Sequence, residues 1–363
     1  MHSSSYKKTF IIAEAGVNHN GSIDMACALI DVAAAAGADA VKFQTFKADE
    51  VISRYAPKAD YQKLTTSSGE SQLEMVQKLE LSESVHRILI NHAKTKKIEF
   101  LSTPFDLPSL RLLTDRFELS TIKIPSGEIT NAPFLLEVAR TGRKIILSTG
   151  MSTLGEVETA LAVLSFGYTG DRDAKPGPKA FLTAFASKVG QAALREHVSL
   201  LHCTTEYPAP FTEVNLKAMD TLANAFGLPV GLSDHTTGIH IPIAAVARGA
   251  QIIEKHFTLD RSLPGPDHAA SLEPVELEQM VKAIREVEMA LGDGVKRPTE
   301  SEIKNRDIAR KSLVAAKPIV AGQVLGTEDI AIKRPGAGLS PMCYWDYLGS
   351  LADRNYSVDE MLA

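Results

Sequence analysis

The stretch QIIEKHFTL, residues 251–259, is an apolar run that contains Lys255 and His256 and leads into a Pro-Gly-Pro loop carrying Asp267 and His268. A buried strand needs neither the lysine nor the histidine, so the pattern indicates a strand that delivers both to an active site. Eight such β runs with helical stretches between them predict a parallel sheet of alternating strands and helices. The seven earlier runs lie at residues 9–16, 40–46, 99–105, 121–127, 144–150, 198–205 and 229–236.

Helix signals between the runs favour a (β/α)₈ TIM barrel. Ser22 can cap a helix that runs to Gly37, and Thr153 with Glu156 forms a Thr-x-x-Glu capping box. After the eighth run, Pro274 lies near the start of a helix that ends at residues 292–294. Residues 165–197 fit less well, because they form a long Gly/Pro-rich connection whose second half indicates one additional helix. The apolar face of the last barrel helix is formed by Leu277, Met280, Ile284, Val287 and Leu291.

The chain has 363 residues, which is enough for one large domain and one small domain. We expect a barrel domain at 1–294, a polar linker at 295–310 and a small β-rich domain at 311–363. The small domain contains two short β runs, at 311–319 and 329–336. So short a segment buries too little apolar surface to be robust alone, so we expect it to pack on a barrel, either its own or another.

Composition and charge exclude several classes of function. Hydrophobic residues make up 44% of the chain and charged residues 23%, which is typical of a folded globular protein. The net charge is -5 with no long basic run, which argues against nucleic-acid binding. Cys27, Cys203 and Cys343 are far apart and form neither a disulfide framework nor a zinc spacing. The apolar run near the N-terminus is too short for a signal peptide or a membrane span, so a cytoplasmic protein is expected.

In a barrel of this kind the carboxyl ends of the strands and the loops after them build the active site. One polar strand end has an ordinary structural explanation, but eight successive strands ending in reactive or hydrogen-bonding side chains indicate a site. The residues at these positions are Glu14, Asn18, His19, Lys42, Gln44, Thr103, Lys123, Ser126, Glu128, Ser148, Thr149, His202, Thr205, Tyr207, Ser233, Asp234, His235, Lys255 and His256.

Two subsets of these residues indicate particular chemistry. His235 and His256 end adjacent strands, so their imidazoles can converge on Mn²⁺ or a similar ion that keeps open positions for water and substrate. The alternative is a pair of histidines that donate hydrogen bonds to the backbone. Lys42 and Lys123 lie among hydroxyl groups, a combination that suits a phosphate or a carboxylate. Because GVNHNG at 16–21 has the wrong glycine spacing for a nucleotide loop, the anion is better explained as part of a small substrate.

Long motifs occur along almost the whole chain. Those in the predicted barrel are IIAEAGVNHNGS (11–22), VKFQTFKAD (41–49), FLSTPFD (100–106), KIPSGE (123–128), ILSTGM (146–151), LLHCTTEYPAP (200–210), GLSDHT (231–236) and EKHFTLDRSLPGPDH (254–268), and the C-terminal residues include IKRPGAGLSP (332–341). In sequence and in order the barrel motifs resemble those of the sialic acid synthases, and the C-terminal residues resemble the antifreeze-like SAF domain of that family. The resemblance therefore implies a TIM barrel followed by a small SAF domain.

The resemblance also implies roles for individual residues. Glu14 would lie beside the reacting centre, while His235 and His256 would bind the metal, expected to be Mn²⁺ with Mg²⁺ or Co²⁺ as alternatives. Arg334 would reach the sugar site of the other subunit in a domain-swapped homodimer, and a surface arginine is the alternative. The residues expected to bind phosphoenolpyruvate are Lys42, Thr103, Lys123, Ser126 and Ser233. Those expected to face the acetamido sugar are Gln44, Tyr207 and Asp267, with Glu128 and Thr205 as further substrate-binding candidates.

The implied activity is the metal-dependent condensation of phosphoenolpyruvate, N-acetylmannosamine and water to N-acetylneuraminate and phosphate, with C–O cleavage. An N,N'-diacetyllegionaminate synthase, which takes 2,4-diacetamido-2,4,6-trideoxymannose, is the alternative within the family, and a preference for a sugar 6-phosphate is expected less. Loss of Glu14, a metal histidine or a lysine would favour a non-catalytic carbohydrate-binding protein, and none is lost. A pyruvate aldolase with a Schiff-base lysine is a third possibility, but two lysines beside hydroxyls suit a phosphate ester better.

Overall fold

A computed structural model describes residues 8–56 and 71–363. The chain divides into two compact units, one that ends at Leu291 and one that comprises Gly292–Ala363. Within the described ranges no helix combines the length and the apolar character that crossing a membrane requires.

The first unit is built on an eight-stranded parallel sheet, and each predicted β run contains one of its strands. The strands are β1 (Phe10–Gly16), β2 (Ala40–Thr45), β3 (Glu99–Pro104), β4 (Thr121–Ile124), β5 (Lys144–Ser148), β6 (Val198–Cys203), β7 (Val230–Asp234) and β8 (Ile252–His256). The ladder closes from β8 back to β1, whereas β3 and β4 pack side by side without a hydrogen-bonded ladder between them. The sheet is a nearly closed barrel, so the TIM-barrel prediction is confirmed.

Side-chain alternation along the strands separates an apolar floor from a polar upper layer inside the barrel. Ile12 of β1 and Ile252 of β8 belong to an inner apolar cluster together with Leu101, Ile146 and Leu201. Successive inward positions on a strand are two residues apart, so the next inward residues of β1 and β8 are Glu14 and Glu254. The floor therefore closes the amino end of the barrel and leaves the carboxyl end for polar side chains.

Helices follow the strands and cover the outside of the barrel. The predicted caps are present, because the Ser22 hydroxyl accepts a hydrogen bond from the backbone N–H of Met25 and Thr153 forms a capping box with Glu156. The helix after Pro274 ends at Ala290, just before the predicted end. The helices are α1 (Ile23–Ala35), α2 (Ala48–Val51), α3 (Gln72–Gln77), α4 (Glu83–Lys96), α5 (Leu107–Arg111), α6 (Ala132–Arg140), α7 (Leu154–Thr169), α8 (Pro178–Ala186), α9 (Lys188–His197), α10 (Lys217–Phe226), α11 (His240–Ala247) and α12 (Pro274–Ala290).

The connection at residues 165–197 is more helical than the sequence indicates. Helix α7 continues to Thr169, and two helices, α8 and α9, follow where one was expected. Ser187 separates them, because its backbone is extended and its hydroxyl accepts a hydrogen bond from the N–H of Gly190 at 2.9 Å. A Cβ atom at Gly190 would lie 2.0 Å from the Ala184 carbonyl oxygen, so only glycine permits this tight junction.

The second unit has its own small β core. Strands β9 (Ser312–Ala315) and β10 (Ile330–Lys333) pair antiparallel inside the two predicted β runs. Residues 295–310, expected as a polar linker, contain helix α13 (Glu300–Ala309), which buries none of its residues and begins at a capping box. The remaining helix, α14 (Tyr344–Tyr347), lies in the late amphipathic stretch.

Candidate active site

A cavity of about 300 Å³ opens at the carboxyl ends of the barrel strands. All eight strands, or the loops that follow them, contribute to its lining. The structure therefore brings together most of the residues that the sequence identified. Those that line the cavity are Glu14, Lys42, Gln44, Thr103, Lys123, Ser126, Ser148, Thr205, Tyr207, Ser233, His235, His256 and Asp267.

Two lysines and two glutamates form a buried charge cluster at the bottom of this cavity. The Lys42 Nζ lies 2.7 Å from the Glu14 Oε2 and 3.6 Å from the Glu254 Oε2. The Lys123 Nζ lies 3.4 Å from the Glu254 Oε1. All four side chains are almost completely buried, and buried charges of this kind persist only when they are paired. Glu254 is thus the carboxylate that joins the two lysines.

The pKa values of the two carboxyl groups in the cluster are shifted in opposite directions. Burial raises the pKa of Glu14 to about 7, against the attraction of the Lys42 ammonium. Burial acts on Glu254 as well, but the ammonium groups of Lys123 and Lys42 hold its pKa below the usual range. Near neutral pH a proton on Glu14 leaves two ammonium groups against one carboxylate, so the cluster can receive an anion.

Hydroxyl groups surround the two ammonium groups. The Lys42 Nζ donates to the Thr103 Oγ1 at 2.9 Å, and the Ser233 Oγ donates to the Glu254 Oε1 at 2.8 Å. The Ser126 Oγ accepts from the backbone N–H of Gly150 at 2.9 Å and lies 3.1 Å from the Cys203 Sγ. A substrate oxygen placed among these groups would meet both cationic and hydroxyl donors, as phosphate recognition requires.

The two strand-end histidines converge as the sequence predicted. Their ring centroids are 5.6 Å apart, and the ring of Tyr207 packs 4.2 Å from His235 and 5.7 Å from His256. Burial lowers the pKa of both histidines, and His256 is lowered further by its neighbour His235. Both imidazoles are therefore neutral at physiological pH, which is the form that binds metals.

The hydrogen bonds of His235 fit a metal ligand. Its Nδ1 lies 2.6 Å from the Thr204 carbonyl oxygen, which can only accept, so Nδ1 carries the hydrogen and Nε2 keeps its lone pair. The buried Nδ1 of His256 has no hydrogen-bond partner and lies 3.9 Å from the Asp267 Oδ2. Across residues 8–56 and 71–363 no cluster of three or more His, Cys, Asp or Glu side chains could hold a metal ion. The donor atoms that the two histidines could offer to an ion are the His235 Nε2 and the His256 Nδ1.

The cavity lining also includes a buried carboxyl group and a set of apolar side chains. Asp267 lies in the loop after β8, and burial raises the pKa of its carboxyl group to about 6. Gln44 of β2 lines the same cavity. The apolar lining residues, of which Val17, Phe46 and Leu79 form a buried cluster with Val76 and Phe105 packed against it, are together called the apolar wall. The apolar wall consists of Val17, Phe46, Val51, Ile52, Met75, Val76, Leu79 and Phe105.

Eight residues identified from the sequence do not line the cavity, namely Asn18, His19, Glu128, Thr149, His202, Asp234, Lys255 and Arg334. Lys255, which we expected in the active site, is 0% exposed and points away from the cavity to an ion pair with Asp234, because it is one residue out of phase with Glu254 and His256. Glu128 does not line the cavity, since its carboxylate accepts a hydrogen bond from the Asn131 side chain at 2.7 Å. Arg334 is exposed in the second unit, where its Nε donates to the Ala309 carbonyl at 3.0 Å.

Sequence reasoning missed Glu254 and the apolar wall. Glu254 could have been found from strand alternation, because it lies two residues before His256 and therefore on the same face. The wall residues carry no comparable signal, because apolar side chains after a strand are indistinguishable from core residues.

A barrel whose strand ends hold paired lysines, hydroxyl groups and two neutral histidines is an enzyme architecture suited to a small anionic substrate. Residues 29–296 match the NeuB family and residues 310–362 match the SAF domain. The chain belongs to the NeuB family, and the resemblance inferred from the motifs is confirmed.

Individual relatives extend this assignment over the whole chain. The chain is 54% identical over 356 residues to the N,N'-diacetyllegionaminic acid synthase of Campylobacter jejuni, which covers 98% of this chain and 99% of that protein. It is 44% identical to the Legionella pneumophila protein of the same name, over 97% of this chain and 93% of that protein. The solved N-acetylneuraminic acid synthetase of Leptospira borgpetersenii, in complex with citrate, is 33% identical, with a TM-score of 0.67 over 83% of this chain and 90% of that one. The protein is an enzyme of the nonulosonic acid synthase type.

Proposed function

We propose that the protein is an N,N'-diacetyllegionaminic acid synthase that condenses phosphoenolpyruvate with 2,4-diacetamido-2,4,6-trideoxymannose and water, releasing phosphate. Two relatives that match almost the full chain, at 54% and 44% identity, carry this name. They favour the alternative within the family over the N-acetylneuraminate synthase that we expected first.

The apolar wall is the observation that supports this sugar. Relative to N-acetylmannosamine, the proposed substrate has a methyl group at C6 in place of a hydroxymethyl and an acetamido group at C4 in place of a hydroxyl. Both changes add apolar surface, which gains free energy when it leaves water for a wall of this kind. Among the described residues that line the cavity, Lys42 and Lys123 are the lysines and there is no arginine. Within this lining a sugar 6-phosphate would therefore compete with phosphoenolpyruvate for the same two ammonium groups.

The charge cluster is the proposed site of phosphoenolpyruvate. The ammonium groups of Lys42 and Lys123, together with the hydroxyls of Thr103, Ser126 and Ser233, would bind its phosphate and carboxylate groups. Both ammonium groups already bind Glu254, so the substrate would compete with a buried carboxylate for them. Such a competition favours a substrate that carries more than one negative charge, as phosphoenolpyruvate does.

The chemistry assigned to this chain is C–C bond formation followed by C–O cleavage. The methylene carbon of phosphoenolpyruvate would attack the aldehyde carbon of the open-chain sugar, whose oxygen would take the proton of Glu14, leaving positive character at the enol-phosphate carbon. Water would add there and return a proton to Glu14, whose pKa of about 7 allows it to release and regain that proton near neutral pH. Expulsion of phosphate, which would take the remaining hydroxyl proton, would then leave the keto acid, and the anionic Glu254 would stabilise the preceding cationic centre.

We propose His235 and His256 as the ligands of a divalent ion, with Mn²⁺ preferred. When bound, such an ion supplies Lewis-acid polarisation of the sugar carbonyl. The lone pair on the His235 Nε2, the unpartnered His256 Nδ1 and the neutral state of both rings support this role. Tyr207, packed against both rings, would keep them in place and exclude water.

We also propose a homodimer in which Arg334 of one subunit reaches the sugar side of the other subunit's cavity. Its exposure in the second unit leaves the guanidinium accessible to such a partner, since among the described residues its hydrogen bond is the one from Nε to the Ala309 carbonyl. An exposed guanidinium presents several donors that suit sugar hydroxyls and amide carbonyls.

Phosphate release with Mn²⁺ and phosphoenolpyruvate tests the function, with N-acetylmannosamine, its 6-phosphate and the 2,4-diacetamido-trideoxy sugar as acceptors. We expect the highest kcat/KM for the trideoxy sugar. Met75→Gln in the apolar wall should narrow that preference, whereas Met289→Gln at a residue that is 77% exposed should not. Turnover with N-acetylmannosamine alone would restore the first expectation, and no release with any acceptor would reject the proposed activity.

A further inference from the structure

The loop after β1 and the loop after β8 are joined next to the cavity. The first contains Asn18 and Asn20, in the motif NHNG, and the second carries Asp267 between Pro264 and Ser271. The resemblance to the sialic acid synthases implies that Asp267 faces the sugar, and it implies no role for either asparagine. Both asparagines nevertheless direct their side chains to the segment 264–271.

Asn20 holds the first end of that segment. Its Nδ2 donates to the Pro264 carbonyl oxygen at 2.8 Å, and its Oδ1 lies 3.2 Å from the Nε2 of His268. His268 is completely buried, and its other ring nitrogen lies 2.6 Å from the Thr258 Oγ1. Asn20 thus fixes the chain on both sides of Asp267, through a backbone carbonyl three residues before it and a side chain one residue after it.

Asn18 holds the second end. Its Nδ2 donates to the Ser271 Oγ at 3.0 Å and to the Phe257 carbonyl oxygen at 2.8 Å. The Ser271 hydroxyl in turn donates to the carbonyl oxygen of Asp267 itself, at 2.7 Å. Asn18 is 1% exposed, so no water competes for these bonds.

Gly265 allows the two loops to come this close. Its φ is +148°, and a Cβ atom there would lie 2.7 Å from the His268 Cδ2 and 2.9 Å from the Asn20 Oδ1. Any larger residue would therefore force apart the contacts that Asn20 makes.

We propose that Asn20 and Asn18 are positioning residues that aim Asp267 at the sugar by binding the segment 264–271 on both sides of it. The inference rests on the proposed function for the identity of the sugar and for the contact between that sugar and Asp267. The Asp267 carboxylate faces the cavity, so its direction depends on the backbone that these bonds hold. Lys42 and Lys123 lie on strands β2 and β4, which these bonds do not touch, so binding of phosphoenolpyruvate should be insensitive to the asparagines.

Steady-state kinetics of Asn20→Ala, with each substrate varied in turn, tests the proposal. We expect kcat/KM for the sugar to fall roughly 10- to 100-fold, because a positioning error of about 1 Å costs up to that much. The KM of phosphoenolpyruvate should stay within about twofold. Asn224→Ala, at an exposed position of α10, is the matched control. Asn18→Ala and Gly265→Ala should resemble Asn20→Ala.

A double variant separates positioning of Asp267 from general loosening. If Asn20 acts through Asp267, then adding Asn20→Ala to Asp267→Asn should lower sugar kcat/KM little further. Full additivity of the two effects, or equal rises in both KM values, would overturn the proposal.

Hydrogen exchange of the same variants gives a readout that does not require turnover. Asn20→Ala should speed exchange of backbone amides in 264–271 while leaving the barrel strands unchanged. Unchanged exchange in that segment would overturn the proposal even if the wild-type enzyme used a different sugar. If the wild-type enzyme shows no turnover but Asn20→Ala still speeds exchange in 264–271, only the proposed function would be rejected.

Discussion

The ion pair between Lys255 and Asp234 allows a quantitative test of the distinction between structural and catalytic charges. The two residues are register partners on β8 and β7 and face away from the cavity. The Lys255 Nζ lies 2.6 Å from the Asp234 Oδ2 and also donates to the Thr236 carbonyl. Both side chains are at least 98% buried. Replacing Asp234 by Asn would leave an ammonium group inside the protein without its counter-ion.

The size of the effect follows from the proton that such a lysine would lose. Burial already lowers the pKa of Lys255, and without Asp234 the amine would become neutral in the folded state. Each pH unit below the unfolded value of about 10.4 costs about 1.4 kcal/mol, so the penalty is at most about 4.6 kcal/mol at pH 7 and about 1.9 kcal/mol at pH 9. This agrees with the roughly 3–5 kcal/mol lost when a buried pair is broken.

Urea unfolding followed by far-UV circular dichroism measures this loss in the barrel. Fluorescence would not, because the single tryptophan is Trp345, in the second unit. With a slope of about 3 kcal/mol per M, Asp234→Asn should lower the midpoint at pH 7 by about 1 M or more. The deficit relative to wild type should shrink at pH 9, because less free energy is then needed to deprotonate Lys255. Adding Lys255→Met should recover most of the loss.

The control is an exposed ion pair on the same unit. Glu83 and Arg87 are paired at 3.1 Å on α4 with side chains 42% and 62% exposed, so Glu83→Gln should cost no more than about 1 kcal/mol. If Asp234→Asn were no more destabilising than Glu83→Gln, or if its deficit did not change with pH, the structural role of Lys255 would be refuted.

Three further predictions concern the cavity. The pKa of about 6 for Asp267 predicts that kcat/KM for the sugar falls about tenfold per pH unit below pH 6, because the carboxylate becomes protonated. Asp267→Asn should abolish this acid-side decrease. If the decrease is unchanged in Asp267→Asn, it arises from another group. His235→Ala should weaken Mn²⁺ binding, measured by calorimetry, by about tenfold or more. His240→Ala, at an exposed position, is the control and should bind Mn²⁺ as the wild type does. If His235→Ala binds Mn²⁺ as tightly as the wild type, His235 is not a metal ligand. Arg334→Ala should raise the sugar KM far more than that of phosphoenolpyruvate, whereas an unchanged sugar KM would make Arg334 a surface arginine.

Much of the barrel could be predicted from the sequence because its local signals agree with each other. Every predicted β run contains a strand, and the capping residues Ser22 and Thr153 begin their helices as expected. Helix caps and apolar runs depend on residues that are close together in the chain, so the local sequence is sufficient to predict where these helices begin and where the strands form. The region 165–197 departed from prediction because one serine divides it into two helices, a distinction that helical periodicity does not register.

The sequence by itself determined that eight strands alternate with helices, and that polar side chains collect at the carboxyl ends. Which of those side chains face one another was decided only by the tertiary structure. Whether a side chain points into the barrel or away from it depends on its position in the alternation along its strand. Glu254 therefore lies beside two lysines in the cavity, whereas Lys255, the next residue, lies beside Asp234 outside it. The opposite pKa shifts of Glu14 and Glu254 likewise arise from burial and from ammonium groups on other strands, distances that exist only once the barrel has closed.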